Sequence, residues 1–223
     1  MMQSVSSDRI DLPPPLAGGD IHVWLLAVEG APNHRVSSGR ARELLERLLA
    51  GYAGLDSAPD IVRGKHGKPH APALPDIDFN VSHTRAHVAI AFARGQPLGV
   101  DIESMDRRIE ALDIARRYFA ASEAAALEAL PASERTAAFL RLWTAKEAVL
   151  KALGAGLHFG LDRLRFALDP TGRPTQVTEI AAEAGDASIW RFALFEPTPD
   201  LVGAVAWHGP PRAIRTFASL DDA

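Results

Sequence analysis

Leu98-Gly-Val-Asp-Ile-Glu103 lies near the middle of the chain and reads as a strand ending on acidic residues. Alternate side chains of a strand share a face, so Asp101 and Glu103 point one way and Val100 and Ile102 the other. On the N-terminal side, residues 21–28, 78–81 and 87–93 also read as strands. Between the first two, Leu44, Leu45, Leu48 and Leu49 recur at helical spacing across 40–51. Residues 56–73 are rich in Pro, Gly and Lys and read as loop, with a short strand at 61–63. On the C-terminal side the pattern turns helical at 109–119, 122–130 and 133–153, with Ser122 before an acidic first turn. Strands then return at 164–168, 189–195 and 201–207, and Asp169-Pro-Thr-Gly172 reads as a turn between the first two of these.

Strands and helices do not alternate strictly, so the fold class is α+β rather than a doubly wound sheet. Both halves show a helix followed by strands, and each has about 100 residues, a small-domain size. The pattern predicts a first lobe over 21–104 and a second over 105–223. Residues 1–20, polar and then rich in Pro and Gly, read as an extended arm.

Composition narrows the chemistry. The 223 residues are 47% hydrophobic and 23% charged, enough to bury a core. Cysteine is absent, which removes disulfides, thiolate metal sites and a Cys nucleophile. A net charge of −4 argues against a general nucleic-acid binder. No apolar run approaches the ~20 residues of a membrane span, and the N-terminus lacks the order of a signal peptide. The reading is a cytoplasmic protein.

The helix over 139–153 carries the second anomaly. Phe139, Leu142, Val149 and Leu153 form an apolar stripe that Lys146 interrupts, and a lysine there wants an anion or an exit to water. Glu147 and Lys151 share the neighbouring face with Trp143. Asp101, Glu103 and Glu147 together offer three hard oxygen ligands. Calcium fits that ligand type; the adjacent lysines favour a phosphate ligand and hence magnesium. Val62-Arg-Gly-Lys-His-Gly-Lys-Pro69 is basic and glycine-rich but lacks the Walker ending. Phe79-Asn-Val-Ser-His-Thr84 places hydroxyl and imidazole groups at a strand end without a nucleophile elbow.

In order, Gly67-Lys-Pro69, Phe79-Asn-Val-Ser-His-Thr84, Gly99-Val-Asp-Ile-Glu103 and Trp143-Thr-Ala-Lys-Glu-Ala-Val-Leu-Lys151 resemble the Sfp-type 4′-phosphopantetheinyl transferases. The resemblance runs from about residue 21 to residue 207 and is most specific in the last two motifs. It implies two similar, pseudo-twofold lobes with coenzyme A between them. It also implies transfer of the 4′-phosphopantetheine arm to a carrier-protein serine, releasing adenosine 3′,5′-bisphosphate.

By position, the resemblance makes Asp101, Glu103 and Glu147 magnesium ligands. Lys151 would contact the pyrophosphate, with Lys146 reinforcing the positive field. Lys68 and Pro69 would line the adenosine side, and Ser82 and His83 would bind coenzyme A phosphates. The basic stretch before the first-lobe helix is shorter than in the family, and Arg42 is the arginine expected at that helix start. The general base is Glu147, directly or through water, or Lys151 if its pKa falls.

The implied partners are coenzyme A and an apo acyl or peptidyl carrier protein, met by a monomer, with no nucleic acid and no membrane. Arg107, Arg108, Arg116 and Arg117 among apolar residues of 105–119 suggest a docking helix for an acidic carrier, with 152–157 as a second candidate. The alternative function is another magnesium-dependent phosphoryl transfer on a nucleotide, using the same carboxylates.

Overall fold

A computed structural model of the protein describes residues 3–6, 13–28, 34–64 and 67–218. In chain order its elements are β1 (Gln3–Ser6), β2 (Asp20–Ala27), α1 (His34–Ala53), β3 (Val62–Arg63), β4 (Pro69–His70), β5 (Ile77–His83), β6 (His87–Arg94) and β7 (Leu98–Ser104). There follow α2 (Ala111–Tyr118), α3 (Ala121–Ala129), α4 (Ala132–Leu153), β8 (Leu164–Leu168), β9 (Pro174–Ile180), β10 (Trp190–Thr198), β11 (Leu201–His208) and β12 (Ala213–Ala218). Helix and sheet are mixed without strict alternation, as an α+β fold requires.

The chain divides into two compact units, one of Met1–Leu98 with Pro211–Ala223 and one of Gly99–Pro210. The sequence pattern predicts an arm over 1–20 and lobes over 21–104 and 105–223, whereas the structure sets the division between Leu98 and Gly99 and pairs β1, within the predicted arm, with β12. The structure also returns β12 to the first unit, where it pairs in parallel with β2 from Ala213↔Asp20 to Ala218↔Leu25. A pairing between strands from opposite ends of a chain leaves no local sequence signal, which is why 213–218 does not announce itself.

In the first unit the sheet order is β1-β12-β2-β6-β5, with β6 antiparallel to both its neighbours. The apolar stripe of α1 supplies Leu44, Leu45, Leu48, Leu49 and Tyr52 to a core shared with Trp24, Leu26, Phe79, Ile90 and Phe92 of the strands. Arg212, just before β12, donates to Gln96 Oε1 at 2.7 Å and ties the returning chain to the turn after β6.

The second unit is built around α4. Phe139, Leu140, Leu142, Ala145, Ala148 and Val149 are buried in a core with Val202, Ala204 and Ala206 of β11. The sheet order is β10-β11-β7. Gly154 stops the helix in the left-handed conformation (φ 65°), its N–H bonding the Leu150 and Lys151 carbonyls. The Asp169 turn joins β8 to β9, a strand the sequence reading passed over because its burial recurs only at Pro174 and Val177. Asp169 Oδ1 accepts from Thr171 N at 2.8 Å and from Arg173 N at 3.0 Å. Among the described residues, no helix is long and apolar enough to cross a membrane.

Candidate active site

The site is set by β7 and α4. Along β7, Val100 and Ile102 turn into the core, so Asp101 and Glu103 come to the opposite face. On α4, Glu147 and Lys151 stand one turn apart. Lys151 Nζ lies 2.8 Å from Asp101 Oδ1, which ties the helix to the strand at the acidic face. The two elements meet at backbone distance because position 99 is glycine. A Cβ there would lie 2.1 Å from the Ala148 carbonyl oxygen and 2.4 Å from Ala152 N.

The carboxylates act on one another. Burial, then the Asp101 charge, push the Glu147 pKa up to about 7; Lys151 opposes the shift and Glu103 adds to it. Burial and Asp101 likewise raise Glu103, against the hydrogen bonds and charge of Arg107 and the charge of Lys151. Arg107 Nη1 donates to both Glu103 oxygens at 2.8 Å. Glu147 Oε1 is buried and accepts no hydrogen bond from the described residues. A buried carboxylate oxygen without a donor, in an acidic cluster that raises its own pKa values, fits a hard cation. As placed, no three His, Cys, Asp or Glu side chains among the described residues close into a ligand cluster, and Lys151 holds Asp101 Oδ1.

The structure thus sets Asp101, Glu103, Glu147 and Lys151 near enough for their charges to act on one another, without closing the three carboxylates into a ligand set. It does not bring Lys146 to them. That residue, expected to reinforce the positive field, is fully buried on the core side of α4. Its ammonium is 2.8 Å from Glu123 Oε2 and donates to the Leu161 carbonyl at 2.9 Å and to the Leu164 carbonyl. An ammonium has three donors, and these three acceptors use them all. Burial lowers its pKa, and the Glu123 carboxylate opposes that.

The other predicted coenzyme A contacts belong to the first unit. Arg42 is solvent-exposed and pairs with Glu46 one turn along α1 at 2.7 Å. Lys68 Nζ donates to Asp78 Oδ2 at 2.7 Å and to the Leu98 carbonyl at 2.9 Å, so it braces the Gly67–Pro69 loop against β5. Pro69 opens β4 opposite Arg63. Ser82 is buried and His83 exposed at the end of β5, as successive strand residues should be. Lys65 and His66 of the basic loop lie outside the described residues, as do residues 1–2 and 7–12 of the N-terminal arm.

The expected docking helix forms only over Ala111–Tyr118. Arg107 precedes it and serves Glu103. Arg116 pairs with Asp113 and Glu128, and Arg117 stacks over Tyr118. Sequence reasoning gave no role to Glu123 and offered Arg107 only as a docking residue. An acidic residue in an otherwise alanine-rich helix start was the available signal for Glu123, and the four-residue spacing from Glu103 for Arg107.

A family model described as the 4′-phosphopantetheinyl transferase superfamily matches residues 97–206, which include this whole cluster. A 4′-phosphopantetheinyl transferase of Bacillus subtilis is 38% identical over 142 residues, covering 62% of this chain and 60% of the relative. The transferase HetI of Nostoc sp. is 30% identical over 184 residues, covering 80% and 73%. The transferase Sfp of Bacillus subtilis strain 168 is 39% identical over 109 residues, covering 49% and 47%. The chain thus spans under two thirds of the two Bacillus relatives and more than two thirds of the Nostoc one. On the HetI match, supported by a family model that contains the Asp101–Glu147–Lys151 cluster, the chain belongs to the 4′-phosphopantetheinyl transferase superfamily.

Proposed function

We propose that this chain transfers the 4′-phosphopantetheine arm of coenzyme A to a serine of an apo acyl or peptidyl carrier protein, using magnesium. The observation that carries the reading is Glu147. It stands one turn from Lys151 on α4, with a buried oxygen that accepts no hydrogen bond from the described residues, within the stretch that the family model matches. Relatives named for the same activity support the substrate pair.

In this reading the serine oxygen bonds to the phosphorus that carries the pantetheine arm. The bond from that phosphorus to the bridging pyrophosphate oxygen breaks, and adenosine 3′,5′-bisphosphate leaves with the electron pair. Glu147 takes the serine proton, directly or through a water. A base must lie within hydrogen-bond reach of the proton it takes, or one water away, and Glu147 is the carboxylate of α4 beside Asp101 and Lys151. Lys151 leaves Asp101 to contact the pyrophosphate. Asp101, Glu103 and Glu147 would hold magnesium, which supplies the positive charge that offsets the pyrophosphate.

We also read the two units as related lobes. In each, a helix precedes an antiparallel strand pair, α1 before β5–β6 and α4 before β10–β11.

Intact-mass measurement on a panel of apo carrier proteins, with coenzyme A and magnesium, tests the function. A carrier that gains the pantetheine arm while the bisphosphate appears supports it. Unchanged mass on every carrier, with a known transferase active alongside, overturns it.

A further inference from the structure

We propose that Lys146 and Glu123 form a buried clamp that sets the rotation of α4 and so aims Glu147 and Lys151; this rests on the function proposed above. The clamp is assembled from four parts of the second unit. Lys146 comes from α4, Glu123 from the first turn of α3, the Leu161 carbonyl from the connection after α4, and the Leu164 carbonyl from the start of β8. The ammonium also lies 4.9 Å from the Phe119 ring centroid and 5.8 Å from that of Phe166.

Glu123 is held equally from its own side. Its Oε1 accepts from Phe166 N at 2.9 Å, and its Oε2 accepts from Ala120 N at 3.1 Å as well as from Lys146. Both partners are buried, at 0% and 2% exposure. Neither can shift without leaving a desolvated charge, so the arrangement has one low-energy setting rather than several.

Its position in sequence gives that rigidity a use. Lys146 and Glu147 are consecutive, so on a helix they project about 100° apart. Locking the direction of Lys146 fixes that of Glu147, and of Lys151 one turn later. A hydrophobic residue at 146 would pack against the same core but would leave helix rotation to non-directional contacts. Lys146 is thus a positioning residue, and it touches neither substrate nor metal.

The test uses Lys146→Met combined with Glu123→Gln, which removes both charges together, and Lys146→Arg, which keeps charge and donors but not the compact three-way geometry. Thermal melts identify a temperature at which each variant is folded. If the double variant does not fold, Lys146→Arg carries the measurement. Manganese binding is followed by electron paramagnetic resonance with coenzyme A present, and kcat and KM for coenzyme A are measured beside it.

The clamp predicts 10- to 100-fold weaker manganese binding and a comparable fall in kcat, with KM for coenzyme A within about threefold of wild type. Folded variants with wild-type manganese affinity and kcat overturn it while leaving the proposed function standing. Wild-type protein that binds no manganese with coenzyme A present overturns the function and the clamp together.

Discussion

Gly99 and Ala148 pack backbone to backbone: a Cβ on residue 99 would lie 2.1 Å from the Ala148 carbonyl oxygen and 2.9 Å from the Lys151 carbonyl carbon. The atoms in the way are main chain of a buried helix, so they cannot rotate aside as a side chain would. Asp101 lies two residues along the same strand, and Glu147 and Lys151 lie on the same stretch of helix. The closeness of β7 to α4 is therefore a property of the site as well as of the core.

Gly99→Ala should consequently push β7 off α4. Overpacking in a closed core costs about 1–3 kcal/mol. For a chain of this size that is a fall in Tm of roughly 2–4 °C for each kcal/mol. The same variant should lose transferase activity at temperatures where it is still folded, because Asp101 moves away from Lys151. A melt and an activity measurement equal to wild type would show that the strand accommodates a methyl group without moving.

Glu147→Gln keeps the shape of the side chain and removes its ability to take a proton. With Glu147 as base, kcat should fall about 10²- to 10⁴-fold. The fold should hold, since Glu147 Oε1 has no hydrogen-bond donor to lose. Circular dichroism checks the fold and steady-state kinetics the rate. A variant with kcat within a few-fold of wild type would move the base assignment to Lys151 or to water.

The two ends of this site were legible to different degrees. Asp101, Glu103, Glu147 and Lys151 could be read because strand alternation and helical spacing each place two of them on one face, and that geometry is local. Lys146 was misplaced for the opposite reason. Its interruption of the Phe139–Leu142–Val149 stripe showed that it needed an anion. The anion, Glu123, is on another helix, and nothing within α4 says which side of the helix it will approach. The same limit hid β9 and β12. One alternates weakly, and the other finds its partner, β2, only by returning from the far end of the chain. Arg42 kept to the simplest reading of a helix arginine, a pair with Glu46 at the surface.

His22 supplies a pH dependence separate from the site. It is fully buried, with Nδ1 2.7 Å from the Tyr52 hydroxyl, which also accepts from Trp24 Nε1 at 2.8 Å. Burial lowers its pKa to about 4, with Asp20 opposing and Arg215 assisting the shift. The unfolded chain, with an ordinary value near 6.5, binds the proton more readily. This contribution to stability is thus whole above about pH 6.5 and is lost as pH falls toward 4. At about 1.4 kcal/mol per unit it amounts to roughly 3 kcal/mol. Denaturant unfolding of wild type and His22→Gln across pH 4–7 isolates it, because every other group cancels in the difference. A pH-independent difference would mean that the histidine stays charged in the folded protein or is not buried.

Lys68 can be tested as a brace. Its ammonium holds Asp78 and the Leu98 carbonyl, and Asp78 Oδ2 also accepts from Leu98 N at 2.7 Å. Both side chains are mostly buried, at 18% and 22% exposure. Removing a cation from such a pair leaves a partly desolvated carboxylate, which costs more than an exposed ion pair would, about 1–3 kcal/mol. Lys68→Met should therefore lower Tm by several degrees, and Asp78→Asn in the Lys68→Met background should recover part of the loss. Arg42→Ala, at an exposed pair, should shift Tm by little and serves as the control. If Lys68→Met instead left Tm unchanged and raised only KM for coenzyme A, the lysine would be a ligand contact, as the family resemblance implies, and the Asp78 pairing would contribute nothing to the fold.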